Sequence, residues 1–234
     1  MITIIHPSRS RPKIAYETAL KWIQRIGLPE TEFEYILSLD NDDPDLWSYK
    51  NKFPCLNFTI FRSDNRSCID AINTPAKFYS AYRGCEEGSK DFLIVMSDDF
   101  NCPENWGQKL ITSRHRVDWI LKTNDGIQQW IITLPIMDWV YYRRFNYVYH
   151  PDYQHCFCDT EMTLVADLLD RKIISSLMFI HRPDGPIQDS VSKKADSTFE
   201  LGRKTFIERK AKNFDLKMEE IIGPWPTNVY TRMQ

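Results

Sequence analysis

Short continuous apolar runs alternate with stretches of helical spacing over the first two thirds of this chain. Ile2 to His6, Phe33 to Leu39, Leu56 to Phe61 and Phe92 to Met96 are runs of strand length. Runs of this kind, bounded by polar turns, fit strands buried on both faces. Between them, Pro12 to Ile26 and Asp70 to Cys85 read as helices, the first with Pro12 near its first turn and the second with Ala71, Phe78, Ala81 and Tyr82 at helical spacing. Strands alternating with helices build a mostly parallel sheet with helices on its faces. A helix from Asn105 to Ser113 and strands from Val117 to Leu121 and from Trp130 to Leu134 extend this order. The pattern then changes to an aromatic-dense helix from Asp138 to Arg144, a longer helix from Asp159 to Arg171, a strand from Ile173 to Ile180 and a charged helix from Ser197 to Asn213. No internal repeat, low-complexity segment or long linker divides the chain, so the expectation is one α/β domain over residues 1–234 with an irregular C-terminal third.

Composition changes the picture only by exclusion. A chain of 234 residues buries enough surface to need no disulfide or metal staple. Its 30 Lys and Arg nearly balance 32 Asp and Glu, which marks no global attraction to nucleic acid or membrane. The start, Met1 to His6, lacks the basic region and long apolar core of a signal peptide. The longest apolar run, Trp130 to Met137, falls far short of the ~20 residues that span a bilayer. The expected protein is cytoplasmic, without a transmembrane segment, and Cys55, Cys68, Cys85 and Cys102 read as free thiols.

The candidate chemistry lies at strand ends. Asp98 and Asp99 follow the run Phe92 to Met96, where a parallel sheet binds its ligands. Hard carboxylate oxygens suit Mg2+ or Mn2+, with water and a diphosphate completing the coordination. The alternative is a surface loop or a helix start, where Asp is also favoured. The first run ends in His6-Pro7-Ser8-Arg9-Ser10-Arg11-Pro12, two guanidiniums and two hydroxyls before a helix, a loop suited to phosphate. The second ends in Asp40-Asn41-Asp42-Asp43-Pro44-Asp45, which also reads as a turn with a helix cap.

Taken together and in this order, these three strand ends resemble the family 2 glycosyltransferases of the GT-A fold. The resemblance implies that Pro7, Ser8, Arg9 and Arg11 bind the nucleotide, that Asp40 contacts the nucleobase, and that Asn73 of Ala71-Ile72-Asn73 joins them. Ser97-Asp98-Asp99 keeps the last two positions of the family's acidic motif with Ser97 in place of the first Asp. That assigns Asp99 to the metal and Asp98 to ribose or a water. Cys158-Asp159-Thr160-Glu161-Met162 is similar to the segment carrying the catalytic base, which makes Asp159 the base and Glu161 the second candidate; a helix-capping role satisfies both equally. His181, at the end of Phe179-Ile180-His181, takes the place of a further metal ligand, or is structural. The implied fold is a GT-A domain with a nucleotide-sugar-binding half over 1–100 and an acceptor half over 101–234.

The implied activity is metal-dependent, inverting transfer of a sugar from a nucleotide diphosphate sugar to an acceptor hydroxyl, with UDP the commonest nucleotide among relatives. The acceptor classes left open are a saccharide, a lipid-linked glycan, a protein side chain and a modified nucleic-acid base. A sugar nucleotidyltransferase is disfavoured because His6 to Pro12 contains no Gly with which to cradle a triphosphate. A binding protein without turnover is the remaining alternative. His150, His155, Cys156 and Cys158 include good zinc ligands, but Cys156-x-Cys158 leaves too short a bite. From Lys193 to Lys217 basic residues outnumber acidic ones, and Phe199, Leu201, Phe206, Ile207 and Phe214 are expected to form an apolar stripe beneath a solvated basic face.

Overall fold

The computed structural model describes residues 1–52, 58–83, 91–113, 116–181 and 189–224. The first βα unit is β1 (Ile2–Ser8) and α1 (Pro12–Gln24), the second β2 (Phe33–Asp40) and α2 (Leu46–Lys52), and the third β3 (Thr59–Ser63) and α3 (Cys68–Ser80). The chain continues through β4 (Phe92–Val95), β5 (Phe100–Asn101), α4 (Trp106–Thr112), β6 (Ile120–Asn124), β7 (Ile136–Asp138) and α5 (Trp139–Phe145). It ends with α6 (Cys158–Leu168), β8 (Lys172–Met178), β9 (Ile180–His181), α7 (Ser190–Asp196) and α8 (Phe199–Ala211).

Among the described residues the main sheet has seven strands in the order β3-β2-β1-β4-β7-β6-β8. Only β7 runs against the others, pairing antiparallel with both β4 and β6. Alternation within the strands supplies a core to each face. Ile5, Ile36, Leu93 and Val95 point to the layer of α3, α5, α6 and α8, while Ile4, Leu37 and Ile94 point to α1 and α4 around Trp22 and Trp106. Strands buried on both faces explain why their sequences are continuous apolar runs.

Several boundaries differ from those expected. Trp130 to Leu134 is not a strand; Ile132 and Leu134 are buried, but the Ile132 N–H donates to Thr163 Oγ1 at 2.9 Å. The ladder belongs to Ile136–Asp138 just beyond Pro135. The strand expected from Val117 begins at Ile120, because Asp118 has φ +68° and its N–H, like that of Trp119, is held by the Asp138 carboxylate. Asp138 is the cap of α5, accepting from the Tyr141 N–H at 2.8 Å. The strand expected to run unbroken to Ile180 divides at Phe179, which leaves the main sheet for a second ladder, β5·β9. No apolar stripe forms on α8: Phe206 and Phe214 are buried, whereas Phe199, Leu201 and Ile207 are exposed and Arg209 is turned inward.

Among the described residues Cys68, Cys102, Cys156 and Cys158 form no disulfide. Cys55 and Cys85 lie outside the described residues, as does the expected strand start at Leu56; the helix expected to reach Cys85 ends earlier, at Ser80 with Ala81 as its cap, and residues 81–83 form a turn. No described helix is long and apolar enough to cross a membrane.

Candidate functional site

The parallel strands β1, β2 and β4 deliver their C-terminal ends to one edge of the sheet. Beyond β4, Ser97, Asp98 and Asp99 form a tight turn closed by the Phe100 N–H on the Ser97 carbonyl at 3.3 Å. Phe100 then pairs with His181 in the β5·β9 ladder, and the two rings stack at 4.5 Å and 4°. This ladder brings together two residues that are 82 positions apart: His181 Nε2 lies 3.2 Å from Asp99 Oδ2. This is the separation of a direct imidazole–carboxylate hydrogen bond, and it is also compatible with two adjacent ligands of an octahedral cation, which stand ~3.0 Å apart at ~2.1 Å from the ion. Both side chains are partly exposed, at 21 % for Asp99 and 18 % for His181. Ser97 Oγ donates to the other Asp99 oxygen. Among the described residues no third His, Cys, Asp or Glu joins the pair.

Asp98 faces the opposite way, into the protein. Its carboxylate accepts from His6 Nε2 at 2.8 Å and from Ser8 Oγ at 3.0 Å, and Thr18 Oγ1 donates to its carbonyl at 3.1 Å. The contact with a carboxylate puts a proton on His6 Nε2. Its Nδ1 meets the hydroxyl of buried Tyr35 at 2.7 Å. Burial pushes the Tyr35 hydroxyl well above its ordinary pKa, with the Asp98 charge adding to the effect. Tyr49 closes the other side, its hydroxyl meeting Ser8 Oγ and accepting from the Arg11 N–H, both at 3.0 Å. Asp98 therefore anchors the turn that presents Asp99. His6, Thr18, Tyr35 and Tyr49 were not identified in the sequence; only His6 carried a signal, as the polar end of an apolar run.

The arginines of the first loop are already engaged. Arg9 donates to Asp40 at 2.5 Å and through two nitrogens to Asp42 at 2.6 and 3.2 Å, and these bonds, Asp42 first, raise its pKa. Asp40 also accepts from Asn65 Nδ2 at 2.7 Å. Arg11 forks onto Asp189, and its Nη1 is 3.8 Å from Asp98 Oδ2. Burial opposes the Arg11 charge, but the Asp189 bond and the Asp98 charge outweigh it and raise the pKa. Pro7 lies within β1 opposite Ser38 of β2.

Asn73 is not brought to this group. Its amide donates to the Tyr149 carbonyl at 2.7 Å and its oxygen accepts from the Val148 and Tyr149 N–H groups at 2.9 and 3.3 Å. A carboxamide matches peptide donors and acceptors, and here it fastens α3 to the loop after α5.

The two carboxylates of α6 have different surroundings. Asp159 is half-buried in the first turn, its Oδ1 accepting from the Thr160 N–H at 2.7 Å. Burial raises its pKa above the ordinary value, opposed chiefly by that backbone bond. Glu161 is buried; both oxygens accept from Arg209 of α8 at 2.7 to 2.9 Å, and Oε2 also accepts from the Tyr153 hydroxyl at 2.8 Å. It is a packing ion pair between helices. Close approach of α8 depends on Gly202, where a Cβ would stand 2.4 Å from the Cys156 carbonyl oxygen. His150, His155, Cys156 and Cys158 form no metal-holding group among the described residues.

No family model matches the chain, and no curated protein matches it. Solved structures do. The mannosyltransferase PcManGT from Pyrobaculum calidifontis, in complex with GDP-Man and Mn2+, superposes with a TM-score of 0.55 at 12 % identity over 77 % of this chain. TarS 1–349 from S. aureus gives 0.56 at 14 % identity over 94 % of this chain, and its complex with UDP-GlcNAc gives 0.55 at 13 % over 82 %. The chain covers 56 % of the mannosyltransferase chain and 76 % of TarS 1–349. At these identities the likeness concerns the fold. With the mostly parallel seven-stranded sheet, it gives this chain an α/β fold of the GT-A type.

Proposed function

We propose that this chain is a metal-dependent glycosyltransferase that moves a sugar from a nucleotide diphosphate sugar, with UDP the leading nucleotide, to an acceptor hydroxyl with inversion. The observation that carries the proposal is the Asp99–His181 pair at the sheet edge of a GT-A-type fold, 3.2 Å apart and partly open. PcManGT, which shares the fold, was solved with GDP-Man and Mn2+, and TarS with UDP-GlcNAc. Mn2+ or Mg2+, when bound, neutralises the diphosphate leaving group. Asp99 and His181 would hold that ion, and Asp98 with His6 and Ser8 fixes the turn from behind. Arg9 and Arg11 add cationic forks for the nucleotide, and Asp40 receives the nucleobase.

Asp159 takes the proton of the acceptor hydroxyl. The acceptor oxygen forms its bond to the anomeric carbon as the bond from that carbon to the diphosphate oxygen breaks. The nucleoside diphosphate leaves with the bonding pair. A raised pKa suits a base that works near neutral pH. Glu161, whose lone pairs serve Arg209 and Tyr153, is assigned to the scaffold.

Release of UDP or GDP from the matching nucleotide sugars, measured with and without Mn2+, tests the proposal. Metal-dependent release that Asp99→Ala abolishes is the expected result. Binding without any release, with or without candidate acceptors, would make the chain a nucleotide-sugar-binding protein.

A further inference from the structure

An open surface cleft of about 450 Å3 lies between the end of β6 and the edge strand β8. It touches the metal pair through the backbone. The Phe179 N–H donates to the Asn124 carbonyl at 2.8 Å and the His181 N–H donates to the Asp125 carbonyl at 2.9 Å. The loop after β6 is thus fixed to the segment that presents His181.

Two buried charges shape this loop from within, and neither has a part in the proposed transfer. Asp125 is fully buried and accepts from the Ile127 and Gln128 N–H groups at 2.9 and 2.6 Å and from Thr133 Oγ1 at 2.6 Å. Lys122, also buried, donates to the Thr123 and Gln128 carbonyls at 2.5 and 2.9 Å. A bulge between Lys122 and Asn124 in the β6·β8 pairing turns the strand end at this point. Burying a lysine and an aspartate costs free energy that a plain connection does not require. Here these bonds fix the backbone of a rim on which Asn124, Gln128 and Gln129 are exposed.

The lining chemistry selects a ligand class. Asn124, Gln128, Gln129 and Ser175 offer neutral donors and acceptors, and Ile127 and Ile174, 54 % and 79 % exposed, offer apolar faces. Among the described lining residues the one formal charge, Lys122, has its head spent on carbonyls. Uncharged hydroxyl-matching groups beside aliphatic faces suit a neutral saccharide, whose rings carry equatorial hydroxyls and C–H faces, and give an anionic polymer nothing to pair with. We infer that the cleft between β6 and β8 is a saccharide subsite that holds the part of a neutral glycan acceptor remote from the reacting hydroxyl. This inference rests on the glycosyltransferase reading. Binding energy from such remote contacts positions the reacting group.

The test follows the full chain, isotopically labelled, by NMR during titration with maltotetraose, cellotetraose and chitotetraose, with tetragalacturonic acid as the charged comparator. At least one neutral tetrasaccharide is expected to move the Gln128 and Gln129 side-chain amides and the Ile174 methyls. A Gln128→Ala/Gln129→Ala double variant should weaken that binding about tenfold, the loss of one or two hydrogen bonds. Ile174→Glu should weaken it too, and because both sites are on the surface the variants should keep the wild-type spectrum elsewhere. The inference is overturned if no neutral saccharide moves these signals, if the double variant binds equally well, or if the acid binds as tightly. UDP and GDP with Mn2+, titrated into the same sample, separate the two readings. A nucleotide response at His181 without a saccharide response removes the cleft alone, whereas a saccharide response without a nucleotide response removes the donor site and with it the acceptor role of the cleft, leaving saccharide binding only.

Discussion

Asp189 closes the guanidinium fork of Arg11, accepting from Nε at 2.7 Å and from Nη2 at 2.8 Å, while Ser192 of α7 takes a further bond from Nη2 at 2.9 Å. The Arg11 bond is the main cause that holds the Asp189 carboxyl far below its ordinary range. A carboxylate in this position stands where the proposed diphosphate would seek the same fork. Asp189→Asn should therefore tighten binding of UDP with Mn2+ about fivefold, the worth of a partly exposed ion pair. Calorimetry giving equal affinity for both proteins would remove Arg11 from the anion site.

Asp159→Asn should lower sugar transfer by about 10²-fold or more with donor affinity unchanged, the scale of losing a general base. The pH dependence carries a sign. With its folded pKa raised above 3.8 by burial, wild-type Asp159 binds its proton more tightly in the folded chain than in the unfolded one. Stability from this group is present at acid pH and is lost as pH rises through the folded pKa. Asn should therefore stabilise the fold at neutral pH and lose that advantage on acidification. Thermal unfolding of both proteins across this range checks it; a variant less stable at neutral pH would mean that the carboxylate is favoured where it sits.

Glu161→Gln should act on stability, not on chemistry. Removing one partner of a buried pair costs about 3 kcal/mol, and both side chains here are under 10 % exposed. The variant is expected to unfold at lower denaturant while the folded fraction turns over at the wild-type rate. A stable but inactive Glu161→Gln protein would move the base from Asp159 to Glu161.

The sheet was legible because strands buried on both faces write themselves as continuous apolar runs, and the turn Ser97-Asp98-Asp99 was placed at a strand end because it directly follows one. The same signal misleads at Trp130 to Leu134, where Ile132 and Leu134 serve opposite core clusters from a loop. Apolar content records burial, while strand pairing depends on which backbone groups meet, and no single run encodes that. The break at Phe179 is of this kind, since a fully buried Phe lies equally well inside a strand or between two. Asn73 was placed by its neighbours in sequence, but its partners are main-chain groups 75 and 76 residues away. Asp98 reads in sequence as a second outward carboxylate. Only the positions of His6 and Ser8, on a strand 90 residues earlier, turn it inward.

Titration of Mn2+ into the protein with UDP present, followed by the loss of the free Mn2+ spin-resonance signal, addresses the central claim most directly. Wild type should bind one Mn2+ in a UDP-dependent manner, His181→Ala should need a higher Mn2+ concentration, and Asp99→Ala should lose the bound ion while keeping its folded far-UV spectrum. Undiminished UDP-dependent Mn2+ binding by a folded Asp99→Ala protein would contradict the assignment of this pair to the metal.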